Sequence, residues 1–153
     1  MSGFGFQAPA EPSIVIDAAS GWPELSTGEF REQRRIPEFY AEQTLADSLN
    51  RSVAEIQQQI INYVGQASTD TDVPFTLGAS LAPNFSAQQI SIYRGAVYAR
   101  SHADLLGYFS AVDQKDAGNN KAQDTQQQDA ILAQSNRAVR LLLGLGRAGV
   151  HSL

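Results

Sequence analysis

The stretch SAQQISIYRGAVYARSHADLLGYFSAV, residues 86–112, decides the fold. Ser86 offers a helix N-cap, and Gln89 three residues later can reach back to complete a capping box. Ile90, Tyr93, Val97, Leu105 and Tyr108 then recur at helical spacing, with Ala96 and Phe109 beside them. The gap in that stripe is Ser101, a residue small enough to let a second helix come close. Gly107 weakens the helix by about 1 kcal/mol relative to alanine, yet the apolar pattern runs past it. A helix apolar over so wide a face belongs at the centre of the molecule.

Upstream, apolar positions at Leu45, Leu49, Val53, Ile56, Ile60, Tyr63 and Val64 step by three or four residues and predict one long amphipathic helix from Glu38. Pro37 suits its start. One of its faces carries Gln43, Asn50 and Gln57, polar but uncharged, which suits burial against another chain. Asp47, Arg51 and Glu55 form a neighbouring charged row that reads as a solvated face. Before Pro37, Ser26 and Glu29 make a second capping box and open a short helix through Phe30 to about Arg35. Its cations Arg31, Arg34 and Arg35 favour a solvated or subunit-pairing face over phosphate binding in an acidic protein.

Residues 1–25 mix glycines, prolines and isolated aromatics and read as an extended N-terminal arm. Ser13 to Asp17 is too short to be a strand alone but could pair with an edge at home or in a neighbouring subunit. Residues 65–85 lose the helical period and read as a functional loop; Asp70 and Asp72, two carboxylates without the rest of a calcium loop, read as solvated residues rather than as cation ligands. A polar turn at Gly118-Asn119-Asn120 leads to a last helix from about Thr125 to Leu143. Ile131, Ser135, Ala138 and Leu142 make one of its rows, and Leu132, Val139 and Leu143 the next. Residues 144–153 read as a flexible C-terminal tail. The expected architecture is all-α, a four-helix bundle-like domain over 26–143 between the arm and the tail.

With 153 residues and 42% hydrophobic content, the chain makes one domain with a single core. The absence of cysteine removes disulfides, thiolate catalysis and cysteine-ligated zinc. A net charge of −5 disfavours generic nucleic-acid binding. Neither a signal peptide nor a membrane-spanning run is expected, so the chain is read as soluble and cytoplasmic at synthesis.

No active site emerges. His102 and Asp104 do not share a helical face, and no nucleophile or metal cluster accompanies either histidine. Gly144-x-Gly146-x-x-Gly149 matches a dinucleotide pattern by letter, but it follows a helix instead of lying between a strand and a helix. Helix-turn-helix binding to DNA is disfavoured because the joint at Ile36-Pro37 has no turn of the usual length. No catalytic residue, cofactor or metal is therefore assigned.

Four helices in this order resemble the head completion (GpL-type, head stabilisation) proteins of tailed bacteriophages. The resemblance covers about residues 21–143 and rests on Trp22-Pro23, the Arg-rich short helix and Pro37. It continues in Tyr93-x-x-Ala96-Val97-x-Ala99, Ala103-x-Leu105, Phe109, Val112-Asp113, Lys121-Ala122 and Arg137-Ala138-Val139. It implies a non-enzymatic virion protein, made in the host cytoplasm and placed at the head–tail neck. There it would form an adaptor ring, dodecameric by family expectation, beneath the portal protein. That ring would be a platform for a neck or tail-completion protein, with packaged DNA passing through unbound. On that reading Leu145, Arg147, Val150 and Leu153 dock on the portal, and Gln43, Asn50, Gln57, Arg31 and Arg34 meet neighbouring subunits. The competing expectation is a small helical homodimeric regulatory protein with no portal partner.

Overall fold

The computed structural model describes residues 12–66, 73–112 and 120–145. Within them lie a two-stranded ribbon, β1 (Val15–Ile16) and β2 (Leu25–Ser26), and four helices. The helices are α1 (Thr27–Arg34), α2 (Glu42–Gln66), α3 (Ala87–Val112) and α4 (Asn120–Leu142). The all-α, bundle-like expectation holds, with the ribbon as its one addition.

α3 is central, flanked by α2 and α4, both antiparallel to it. Along α2, Gln57 meets Tyr93, Ser52 meets Ser101 and Ser48 meets Asp104. Along α4, Ser135 meets Ala96 and Gln128 meets Ala103. Both seams rely on small residues, as the gap at Ser101 requires. Ser101, Ser52, Ser48 and Ser135 are all buried, and each has a hydrogen-bond partner, so close approach leaves no hydroxyl stranded. Gly107 belongs to the same design: a methyl there would strike the Gln128 side chain that crosses to the Ala103 carbonyl.

Capping follows the sequence closely. Ser86 Oγ accepts from Gln89 N–H, and Gln89 Oε1 accepts from Ser86 N–H, so that box is reciprocal. At α1 only half of the box forms. Ser26 Oγ accepts from Glu29 N–H, but Ser26 N–H donates to the Tyr98 hydroxyl, anchoring the ribbon to α3.

Four expectations are corrected. α2 begins at Glu42, not Glu38, because Tyr40 N–H closes a turn on the Pro37 carbonyl and Arg31 holds the same carbonyl. α4 begins earlier than expected, at Asn120. Tyr108 is 62% exposed, since it lies level with the start of α2, where the bundle ends. Leu132 is exposed because Ile131, one position earlier, takes the place against α3 on that half of α4.

The stretch read as an arm pairs at home over Pro12 to Ser26. Val15 pairs with Ser26 and Ile16 with Leu25, antiparallel. Ile16, Trp22 and Leu25 are buried in the main core with Phe30, Leu45, Leu49, Ile56, Tyr93, Val97, Val139 and Leu142. Residues 73–85 also pack onto that core. Phe75 is buried against Phe85, and Phe85 in turn meets Trp22 and Tyr93. A bridge from Leu77 to Pro83 and the Asn84–Thr76 hydrogen bonds close the segment on itself. Gly21, at φ 89°, touches it so closely that a Cβ would stand 2.8 Å from that of Ala82. Asp70 and Asp72 lie outside the described residues.

Candidate interaction surfaces

Among the described residues no group of three histidines or acids could hold a metal ion, and no helix is long and apolar enough to cross a membrane. What the molecule offers is surface.

Of the residues expected to meet neighbouring subunits, Arg31, Arg34 and Gln57 have partners on other elements of the chain. Arg31 donates from Nε and Nη2 to Glu42 Oε1 at 3.0 and 2.6 Å. Its guanidinium also donates to the carbonyls of Pro37 and Tyr40 at 2.8 and 2.9 Å. One planar fork thus fixes the whole α1–α2 corner. Arg34 Nε donates to His102 Nδ1 at 3.0 Å, and its Nη2 reaches Gln134, so it ties α1 to both α3 and α4. Burial, with the Arg34 cation beside it, lowers the His102 pKa to about 4. The ring is therefore neutral at pH 7, with Nδ1 as the acceptor. Gln57 donates to Asp17 at 2.7 Å and to the Tyr93 hydroxyl at 3.0 Å, locking the ribbon end onto α2 and α3. Burial raises the Tyr93 pKa well above the usual phenol value. Gln43 and Asn50 remain at the surface, Gln43 bonding only to Asp47 one turn on.

Of the four residues expected to dock on a portal, only Leu145 lies within the described residues; Arg147, Val150 and Leu153 lie outside them. Leu145 is half-buried against the main core. Its N–H donates to the Arg140 carbonyl and that of Gly144 to the Leu141 carbonyl, while Gly144 sits at φ 77°. This is a Schellman stop, in which glycine relieves the left-handed backbone at a helix C-terminus. The first glycine of the dinucleotide-like pattern is thus a helix cap. Leu141, one turn before Leu145, is 61% exposed. The helical period could have flagged it, because Leu141 falls off both rows that carry Val139, Leu142 and Leu143. Phe39, 64% exposed at the corner that Arg31 holds, also escaped the sequence reading.

A family model described as phage head completion protein (GPL) matches residues 16–153. The probable head completion/stabilization protein of Haemophilus phage HP1 (strain HP1c1) is 24% identical over 139 residues, covering 91% of this chain and 92% of that protein. No solved structure matches. The family match begins at Ile16, inside the ribbon, and runs through all four helices, so it bears out the resemblance carried by Tyr93-x-x-Ala96-Val97 and its companions. With nearly its whole length matched, the chain belongs to the phage head completion protein (GPL) family.

Proposed function

We propose that this structural phage head completion protein forms an adaptor ring beneath the portal, closing the DNA-filled head and offering a platform to the neck or tail. The observation that carries the reading is the C-terminal end of α4. There α4 closes on a Schellman cap with Leu141 exposed beside it, and the family match continues to residue 153. An apolar side chain at the root of a segment with Leu145, Val150, Leu153 and Arg147 is suited to docking on a partner's surface. Gln43 and Asn50 supply exposed, uncharged contacts on α2 for a heterologous ring, in which each subunit meets the next head to tail. The net charge of −5 lets DNA pass the ring without adhering.

The test is light scattering after size exclusion on the protein alone and mixed with a purified portal ring. A monomer that joins the portal as a ring-sized complex supports the adaptor. A variant lacking residues 146–153 should keep its helical circular dichroism and lose the complex; retained binding would overturn the docking role of the tail.

A further inference from the structure

α2 and α4 form two flanks of α3, and the flanks differ in charge. Arg100 of α3 reaches both: its guanidinium lies 3.6 Å from Glu55 Oε2 and donates to Asn136 Oδ1 at 3.0 Å. Glu55 on α2 and Asn136 on α4 are therefore level. Turned away from α3, α2 exposes Asp47, Asn50, Ala54 and Gln58, one helical row stepping by three and four residues. Glu55 borders that row with its side chain 63% exposed. The cation beside it, Arg51, is drawn to Asp104 at 2.7 Å, so this flank is left acidic. On α4 the row turned away from α3 runs through Gln126, Ala130, Ala133 and Arg137, with Arg137 exposed. Asp129 falls two helical turns before Asn136, on the row that turns toward Arg100 instead. Among the described residues the outer row of α4 thus carries a cation and no acid.

We propose that in the adaptor ring the outer row of α2 in one copy packs on the outer row of α4 in the next, with Arg137 set beside Gln58 and Glu55 of its neighbour. This rests on the ring reading and supplies the opposite half of the contact to which Asn50 belongs. In a closed ring every copy stands at the same height, so residues that are level within one copy meet between copies when α3 runs along the ring axis. Acidic and basic flanks lie on one chain, so each copy offers both halves of the contact. A two-fold dimer would instead set acid against acid or Arg137 against itself, and like charges brought together cost affinity. The charge pattern therefore selects a second copy, placed head to tail. Leu141, one turn after Arg137, stands toward the C-terminal tail and is left to the portal.

The chain has no cysteine, so introduced thiols report their neighbours without background. Ala54→Cys and Ala130→Cys proteins are made separately, bound to a purified portal ring and treated with a short bis-maleimide. Neither alone should cross-link. An equal mixture should give covalent dimers, and a chain carrying both substitutions a ladder of higher oligomers. Cross-linking of either single variant with itself overturns the proposal, because like faces would then meet. A mixture that binds the portal without cross-linking also overturns it; the ring then stands and only the faces are wrong. If the unsubstituted chain forms no ring-sized complex with the portal, the ring reading fails and this pairing falls with it. Charge reversal gives a second measurement. Arg137→Glu should weaken ring formation roughly five- to tenfold, and adding Gln58→Arg should restore it by exchanging the charges. A double variant as weak as Arg137→Glu alone would show that Arg137 does not face Gln58, and would refute the pairing.

Discussion

Replacing Arg31 by alanine removes, at one stroke, the donors to Glu42 and to the carbonyls of Pro37 and Tyr40. The Glu42 side chain is only 10% exposed, so its carboxylate would lose its cation without gaining much water. The expected cost is about 3 kcal/mol in urea unfolding, the range for breaking a largely buried pair. Arg31→Lys should recover only part of it, because an ammonium restores the charge but not the planar fork. His102 carries a prediction of a different kind. Its folded pKa lies near 4, below the ordinary 6.5, so between those values the unfolded chain binds a proton that the folded chain excludes. Stability is thus fully present above pH 6.5, falls as the pH drops toward 4, and gains no further loss from this residue below that. His102→Gln keeps an acceptor for Arg34 and removes the titration. The difference in stability between the two proteins, followed from pH 7 to 4, should therefore narrow steadily; a constant difference would mean that His102 stays wet enough to titrate normally.

The α2–α3 seam depends on residues that are small and polar together. Ser101→Val would add bulk opposite Ser52 and strand a hydroxyl whose partner is now a methyl, a change expected to cost about 2–3 kcal/mol with an unchanged m-value. Gly21→Ala should cost about 1–3 kcal/mol, since it puts a side chain into left-handed backbone and drives a methyl against Ala82. Thermal unfolding of both variants would check these magnitudes. The seam was legible in the sequence because a serine interrupting an apolar stripe has a definite spatial meaning: something approaches there. The starts of α1 and α3 were legible for the same local reason, their Ser26 and Ser86 caps being a short-range code, whereas α2 and α4 begin away from where the sequence was read to start them. The ribbon was not. Two-residue strands carry no period, and Ile16, Trp22 and Leu25 find their core through contacts with α2 and α3 far along the chain. Residues 73–85 escaped similarly, because the Phe75, Phe85, Trp22 and Tyr93 ring cluster joins three separate segments. Of the candidate site, the sequence could not show that Arg31, Arg34 and Gln57 take partners on other elements of their own chain. Burial of a long polar side chain depends on which element lies above it: the α1–α2 corner for Arg31, α3 and α4 for Arg34, the ribbon and α3 for Gln57.

As a whole, the molecule's described residues hold one large core where the ribbon, residues 73–85, α1 and the C-terminal turns of α4 converge, and a small one where Ile131 of α4 packs on Ala99, Ala103 and Leu106 of α3. That asymmetry predicts unfolding in which two probes disagree. Trp22 is the sole tryptophan and is buried in the large core against Phe85 and Tyr93, so its fluorescence reports that end. Far-ultraviolet circular dichroism counts every helix, the half of α4 that packs on the small core included. In low urea the helical signal should therefore begin to fall before Trp22 fluorescence responds, and the two midpoints should converge only for the main transition. If the probes coincide in the wild-type chain at every urea concentration, the two cores unfold as one, and the molecule behaves as a single cooperative block despite its separate cluster at Ile131.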